Sequence, residues 1–339
     1  MRLLDHTIPN LGLFLDEGGG VLRRAALGVQ VDLGEQRLHV LALERRVHGL
    51  VELVDDRLRR LRRRGDRVPG TGLEALHAQL VEGGKLSWDA TLAQLVPEYP
   101  DHEAARKITV WQLLHHTAGL GDFFVPEFFQ HRETFVDPAD YLDLIARQPR
   151  VGEPGKEWTY SNAGYVLLGR IIENVSGEGY FDYIRRHVFA PAGMDASGFD
   201  RQQDVTPKLA VGYFRDGPFA TGWNANWMTL PFKGSPAGGG YSTNADLLRF
   251  AAALREGRLV GPATLAKMFD GEVPAGPGGY AAGFGDRVSH GRHVRGHAGG
   301  APGMDADLAM VWETGAAVAV TSNEGESPTA LMLAEHIAD

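Results

Sequence analysis

The chain has 339 residues, 43% of them hydrophobic and 23% charged. That length can bury a large core as one domain or two closely packed ones. The net charge of −9 argues against a nucleic-acid partner, which would favour a basic face, and the absence of cysteine excludes disulfides, thiolate metal sites and cysteine nucleophiles.

Residues 1 to about 70 differ in texture from the rest. They contain no Ser, Lys, Trp or Tyr and a single Phe. Asp5, Asp16 and Glu17 lie beside Arg2, and no long apolar stretch follows, so the start does not read as a signal peptide and the chain reads as cytoplasmic as written. No apolar run approaches the ~20 residues needed to span a bilayer. Val29–Leu33 and Leu38–Leu43 have the composition of short strands, and Val47, Leu50, Val51, Val54, Leu58 and Leu61 could line one helix face. The Arg57–Arg64 run reads as a solvated helix end rather than a nucleic-acid patch.

From Leu73 the pattern becomes regular. Leu73–Val81 predicts a helix closed by Gly83 and Gly84, and Leu92–Val96 a second one before Pro97. Thr109 is positioned to cap a short helix through Leu114, followed by His115, His116 and a stop at Gly119. The two histidines read as structural, one buried at the helix end and one capping carbonyls. Residues 121–150 are aromatic and acidic, with Phe123, Phe124, Phe128 and Phe129 as a candidate pocket wall.

Tyr160-Ser161-Asn162 then runs directly into Leu167, Leu168, Ile171, Ile172 and Val175 at helical spacing. Side chains just before a helix are held on a rigid platform whose first N–H groups lack internal partners. A Tyr there can exchange a proton, and an Asn can both donate and accept. The plain alternative is an N-cap at Ser161 or Asn162 with the Tyr160 ring packed beneath. A further helix is expected over Gly179–Phe189, stopping before Pro191.

Trp223, Trp227 and Phe232 mark an irregular stretch. Pro236–Thr243 is a glycine-rich turn leading into a helix over Asn244–Arg255, with Thr243 and Asp246 resembling a capping box. Asp307–Trp312 and Ala316–Ser322 predict a hairpin, and Pro328–Ile337 a closing helix. His290, His293 and His297 read as a strand leading to a turn rather than a metal site, since their glycine-rich segment lacks ligand geometry. The fold class expected is α+β: an antiparallel sheet flanked by helices, with an all-α region.

Four stretches, in this order, resemble the serine β-lactamase and penicillin-binding-protein superfamily. They are Leu80–Leu86, Ile108–Leu120, Tyr160–Tyr165 and Gly296–Gly303. The branch resembled is that of class C β-lactamases, D-aminopeptidases and β-lactamase-like esterases, and the resemblance runs from about residue 73 to the end. It implies an acyl-transfer site in a cleft between sheet and helical region. It also implies roles: Tyr160 as proton carrier, Asn162 holding the substrate carbonyl and a lysine, and His297 supplying a hydrogen bond or positive charge. Gly299 would allow close backbone approach, and the Gly300 N–H would form half of an oxyanion hole. The implied ligand is a small ester, β-lactam or peptide. No cofactor and no metal are implied, and the oligomeric state is not legible. The aromatic segments favour an apolar acyl group.

One motif of that family is missing. Ser-x-x-Lys, the nucleophile and its base, would fall about eighteen residues before Lys85, at Arg67-Val68-Pro69-Gly70. No Ser precedes Ser87, no Lys precedes Lys85, and Ser-x-x-Lys occurs nowhere in the chain. Thr264-Leu265-Ala266-Lys267 is a weak imitation in a late helix, and Ser161 lacks a nucleophile-elbow context. The expectation is a hydrolase-type domain, inactive as written, over residues 73–339. The atypical segment 1–72 has the Arg, Leu, Val, Asp and Gly bias of GC-rich DNA read in a shifted frame. The rival reading is a natural pseudoenzyme that binds a peptide or acyl ligand. An intact Ser-x-x-Lys in another frame of the gene near codons 60–75 supports the first, and its absence from every frame sinks it.

Overall fold

The computed structural model describes residues 27–32, 66–68, 72–215, 222–275, 278–324 and 329–338. The Leu38–Leu43 strand, the Val47–Leu61 helix face and the Arg57–Arg64 run lie outside these.

Seven antiparallel strands form the main sheet: β1 (Leu27–Asp32), β6 (Val273–Ala275), β7 (Gly278–Ala281), β8 (Phe284–Ser289), β9 (Arg292–Ala301), β10 (Met304–Val311) and β11 (Ala316–Ser322). Their spatial order is β1-β11-β10-β9-β8-β7-β6. Two short pairs stand apart: β2 (Asp66–Val68) on β5 (Gly240–Ser242), and β3 (Tyr213–Phe214) on β4 (Asn224–Ala225). The predicted hairpin is β10–β11, with Met310 opposite Ala317 and Leu308 opposite Ala319.

Alternation along these strands sorts side chains onto two faces. Ala306, Leu308, Met310, Ala317 and Ala319 enter the large core shared with the helices. Val294, Ala309, Val311, Val318 and Val320 face the other way, onto Ala330 and Ala334 of the helix Thr329–Ala338. Both faces are covered, so β10 and β11 read as nearly continuous apolar runs.

The all-α region is built around the helix Asn162–Ser176, whose Val166, Leu167, Leu168, Ile171 and Ile172 are buried. Gly169 on this helix is required by packing: a Cβ there would collide with the Pro236 ring. The glycine turn and the central helix are thereby in direct contact. Short helices surround it: Leu73–Glu82, Leu92–Leu95, Val110–Leu114, Pro126–Gln130 and Leu142–Ala146. Thr109 and Gln112 form a complete capping box. Thr243 completes only half of one. Its hydroxyl accepts the Asp246 N–H at 3.1 Å, while the Asp246 carboxylate turns to the Ala196 N–H and the Ser197 hydroxyl, both at 2.8 Å.

One boundary differs from expectation. Tyr180–Ile184 is α-helical, Arg185–Phe189 widens to a π-turn, and Ala190–Ala192 continues through Pro191 to Gly193 at φ 73°. Pro191 lacks the N–H that would bond the His187 carbonyl one turn back, and that carbonyl accepts the Gln79 side-chain amide at 3.1 Å. No helix among the described residues is long and apolar enough to cross a membrane.

Candidate active site

The turn before the central helix approaches β9 through Tyr160 and His297. Ser161 is the helix N-cap, and its hydroxyl accepts the Gly164 N–H at 3.4 Å and donates to the Gly121 carbonyl at 3.3 Å. It is buried and internally bonded, which leaves it a structural cap rather than a nucleophile. Tyr160, immediately before it, is 43% exposed. The Tyr160 ring lies 4.2 Å from that of His116 and 6.2 Å from that of His297. Tyr160 and His297 are therefore neighbours, with Asn162 two residues along the chain from Tyr160.

Asn162 is held by a residue that sequence reasoning missed. Asp122 Oδ2 accepts both the Asn162 backbone N–H at 3.1 Å and its side-chain amide at 2.7 Å, while Oδ1 accepts the Phe124 N–H at 3.2 Å. A carboxylate at a helix start satisfies an orphan donor and complements the helix dipole. The signal available was an Asp two residues past Leu120, but nothing in the sequence pairs it with a helix forty residues later.

Partial burial beneath its exposed face, with the Asp122 carboxylate second, pushes the Tyr160 phenol up to about 12. His297 is pushed below the ordinary histidine range by burial. Its Nδ1 lies 2.6 Å from the Ala298 carbonyl, so Nδ1 carries the proton and Nε2 offers a lone pair. Of the two roles foreseen for His297, a hydrogen bond fits this neutral imidazole and a positive charge does not.

Register places the backbone of β9. The two-residue turns at His290-Gly291 and Pro302-Gly303 make Ser289–Arg292 and Ala301–Met304 the closing pairs of their hairpins. Alternation from those ends turns the N–H and C=O groups of Ala298 and Gly300 away from β10. Pairing with β8 stops at Gly285–Gly296, so Gly300 presents its amide on an edge that no described strand covers. Gly299 precedes it on the strand, opposite Ala306.

An aromatic wall continues around this place. Phe124 and Phe129 stack at 6.0 Å and are half-exposed, and Phe124 is anchored beside Asp122. Arg132 donates to the carbonyls of Trp227 at 2.6 Å and Leu230 at 2.9 Å. Asn226 donates to the Pro302 carbonyl at 3.0 Å, in the turn just beyond Gly300. The Trp227 loop is thereby tied to Arg132 on one side and to the turn after β9 on the other.

The other candidates lie elsewhere. Thr264 and Lys267 belong to the helix Pro262–Asp270, with Lys267 exposed. His293 Nδ1 pairs with Asp286 at 2.9 Å, and His290 sits in the β8–β9 turn at φ 49°. Among the described residues no group of His, Asp and Glu is arranged to hold a metal. His115 Nδ1 meets the Trp111 carbonyl at 2.8 Å and is the carbonyl cap. His116 is not a carbonyl cap, because its Nδ1 accepts the Ser161 N–H at 3.2 Å. Arg67 and Val68 fall on β2, which runs beside β5, and Gly72 at φ 106° begins the Leu73–Glu82 helix.

Residues 74–339 match the family model described as Beta-lactamase. The chain belongs to the beta-lactamase family. Penicillin-binding protein 4 of Amycolatopsis lactamdurans is 29% identical over 175 residues, 51% of this chain and 45% of that protein. Lovastatin esterase of Penicillium rubens is 27% identical over 220 residues, covering 56% of this chain and 55% of that enzyme. The chain spans about half the length of these curated relatives. Among solved structures, a D-stereospecific amidohydrolase from Streptomyces superposes with a TM-score of 0.70 at 25% identity, covering 81% of this chain and 88% of that one. As a beta-lactamase family member, the chain has the expected α+β architecture, and its family is one of serine hydrolases with esterase and amidase relatives.

Proposed function

We propose that this chain holds small ester or amide ligands in a β-lactamase-like cleft and does not turn them over as written. The observation that carries the reading is the pairing of an intact holding side with a missing attacking side. Asn162 is held by Asp122 and the Gly300 N–H lies on the open edge of β9, which supports a holding side, whereas Ser-x-x-Lys is absent from the whole sequence. A serine ester needs a hydroxyl whose proton a neighbour removes. Ser161 is bonded internally, and partial burial, with the Asp122 carboxylate second, favours the protonated form of Tyr160. At neutral pH Tyr160 therefore acts as a neutral hydrogen-bonding group, not as a base.

Phe124, Phe129 and Trp227 are large apolar side chains left partly exposed, which supports an apolar group on the ligand, where burial of apolar surface contributes on the order of 25 cal/mol per Å². That lovastatin esterase and a D-stereospecific amidohydrolase are relatives supports ester and amide ligands over others. The reading includes a family domain beginning at residue 73, with residues 1–72 as an atypical segment whose first family motif is displaced.

The test is saturable binding of D-phenylalanine amide and of p-nitrophenyl butyrate by nuclear magnetic resonance titration, with release of p-nitrophenol followed in the same sample. Binding without release supports the reading. Release above the uncatalysed rate, or no binding by a folded sample, overturns it.

A further inference from the structure

His116 occupies the left-handed region at φ 54°, a conformation that favours glycine over a residue with a side chain. Backbone strain of this kind persists where the surroundings over-determine it and clusters at functional sites. The surroundings here are specific. The His116 carbonyl accepts the Thr159 N–H at 2.8 Å, and its Nδ1 accepts the Ser161 N–H at 3.2 Å. The same residue therefore grips the chain on both sides of Tyr160. Its ring also lies against Tyr160 at 4.2 Å and stacks on Tyr165 at 4.8 Å, with the Trp158 edge at 6.3 Å.

The hydrogen-bond directions follow without choice. A backbone N–H can only donate, so Nδ1 is bare and, in the neutral ring, Nε2 carries the proton. Nε2 then donates to the Tyr280 hydroxyl at 3.1 Å. Tyr165 donates to the Leu114 carbonyl at 3.1 Å, which leaves its oxygen to accept from Tyr280 at 3.3 Å. The chain His116–Tyr280–Tyr165–Leu114 is fully directed and ends on a carbonyl. A second proton on His116 would set Nδ1–H against the Ser161 N–H.

We infer that His116 is a positioning residue that sets the pose of Tyr160 and Asn162, by holding the Ser161 amide from a neutral imidazole whose tautomer the Tyr280–Tyr165 chain fixes. Asp122 completes the arrangement by taking the next amide, that of Asn162. Two acceptors from the single loop 116–122 thus hold consecutive N–H groups of the site turn. Burial depresses the His116 pKa to about 3, with His297 and His115 as further causes, which agrees with a ring that stays neutral. The inference rests on the cleft reading above only for its effect on ligands.

The test compares His116→Asn with His116→Leu in the full chain. Asn tolerates the left-handed conformation and places its carbonyl oxygen near the Nδ1 position, whereas Leu keeps bulk and removes the acceptor. Amide hydrogen exchange reads the Ser161 N–H directly. Wild type and His116→Asn are expected to protect Ser161, and His116→Leu to exchange it at least about tenfold faster while Leu167–Ile172 stay protected. D-Phenylalanine amide is expected to bind about tenfold more weakly to His116→Leu than to His116→Asn. If His116→Leu does not fold, His116→Gly with and without added imidazole replaces it, and recovery of Ser161 protection by imidazole is the expected result. Equal protection in the Asn and Leu variants, or no recovery in the Gly variant, overturns the inference. If wild type binds no D-phenylalanine amide while Ser161 follows the expected pattern, the ligand reading fails and the positioning role stands.

Discussion

Asp122 shows how one side chain redirects the chemistry of this cleft. Its carboxylate fixes Asn162 through two hydrogen bonds and at the same time opposes ionisation of Tyr160. The two effects separate on mutation. Asp122→Asn removes the negative charge, so the Tyr160 phenol should ionise at lower pH than in wild type. Tyrosinate absorbance, with Tyr160→Phe as the reference, measures this, and an unchanged or higher midpoint would contradict it. Asp122→Ala leaves a part-buried amide and an N-terminal N–H without their acceptor. A loss of roughly 1–3 kcal/mol in urea unfolding is expected. The Tyr, Asn, His and Gly residues of the site were visible as residue types in motifs. Asp122 and the bonding role of His116 were not, because each acts across about forty residues and sequence pattern reports only near neighbours.

Among the elements, the helix Asn162–Ser176 and the hairpin β10–β11 were the most legible, since each has a strong period and clear end signals. The π-turn at Arg185–Phe189 was hidden because Pro191 reads as a stop from sequence, whereas the widened turn carries the chain past it. The open edge of β9 follows from two tight turns whose register became legible only once the strands were paired. Gly169 belongs to this scale. Replacing it by Ala raises helix propensity by about 1 kcal/mol. The new methyl would meet the rigid Pro236 ring, and overpacking of that kind costs about 1–3 kcal/mol. The clash is expected to win, so Gly169→Ala should lower the thermal midpoint. A midpoint equal to wild type or higher would show that the Pro236 turn yields freely.

For the whole molecule, buried titratable groups set opposing limits with pH. Burial raises Glu74 from 4.5 to about 7. Its contribution is present below pH 4.5 and is lost as pH rises through 7, because the unfolded chain releases the proton first. Burial lowers His77 to about 4 and His116 to about 3, and lowers His115 as well. Their contribution is present above pH 6.5 and is lost as pH falls through those values. Stability should therefore peak near neutrality and fall more steeply on the acid side, where these histidines, with His297 lowered likewise by burial, outnumber Glu74 and Asp305, whose carboxyls burial raises. Glu74→Gln keeps an acceptor for the Gly72 N–H and removes the alkaline loss, which is on the order of 3 kcal/mol at pH 8.5. Urea unfolding at pH 5 and 8.5 tests this. A variant that gains no stability at pH 8.5 relative to wild type would contradict it.

Fold class and family were legible at this scale because four motifs stand in order over residues 80–303. The covering of the β11 edge by Leu27–Asp32 was legible only as a possible strand, since nothing in that segment names its partner.

Covalent labelling separates a family cleft without a nucleophile from one that keeps it. The purified full chain would be treated with a fluorophosphonate and its intact mass measured, beside turnover of a chromogenic short-chain ester and a chromogenic β-lactam. Folded protein is expected to show no mass increase and no turnover. A stoichiometric adduct accompanied by turnover would contradict it, and peptide mapping of that adduct would name the nucleophile.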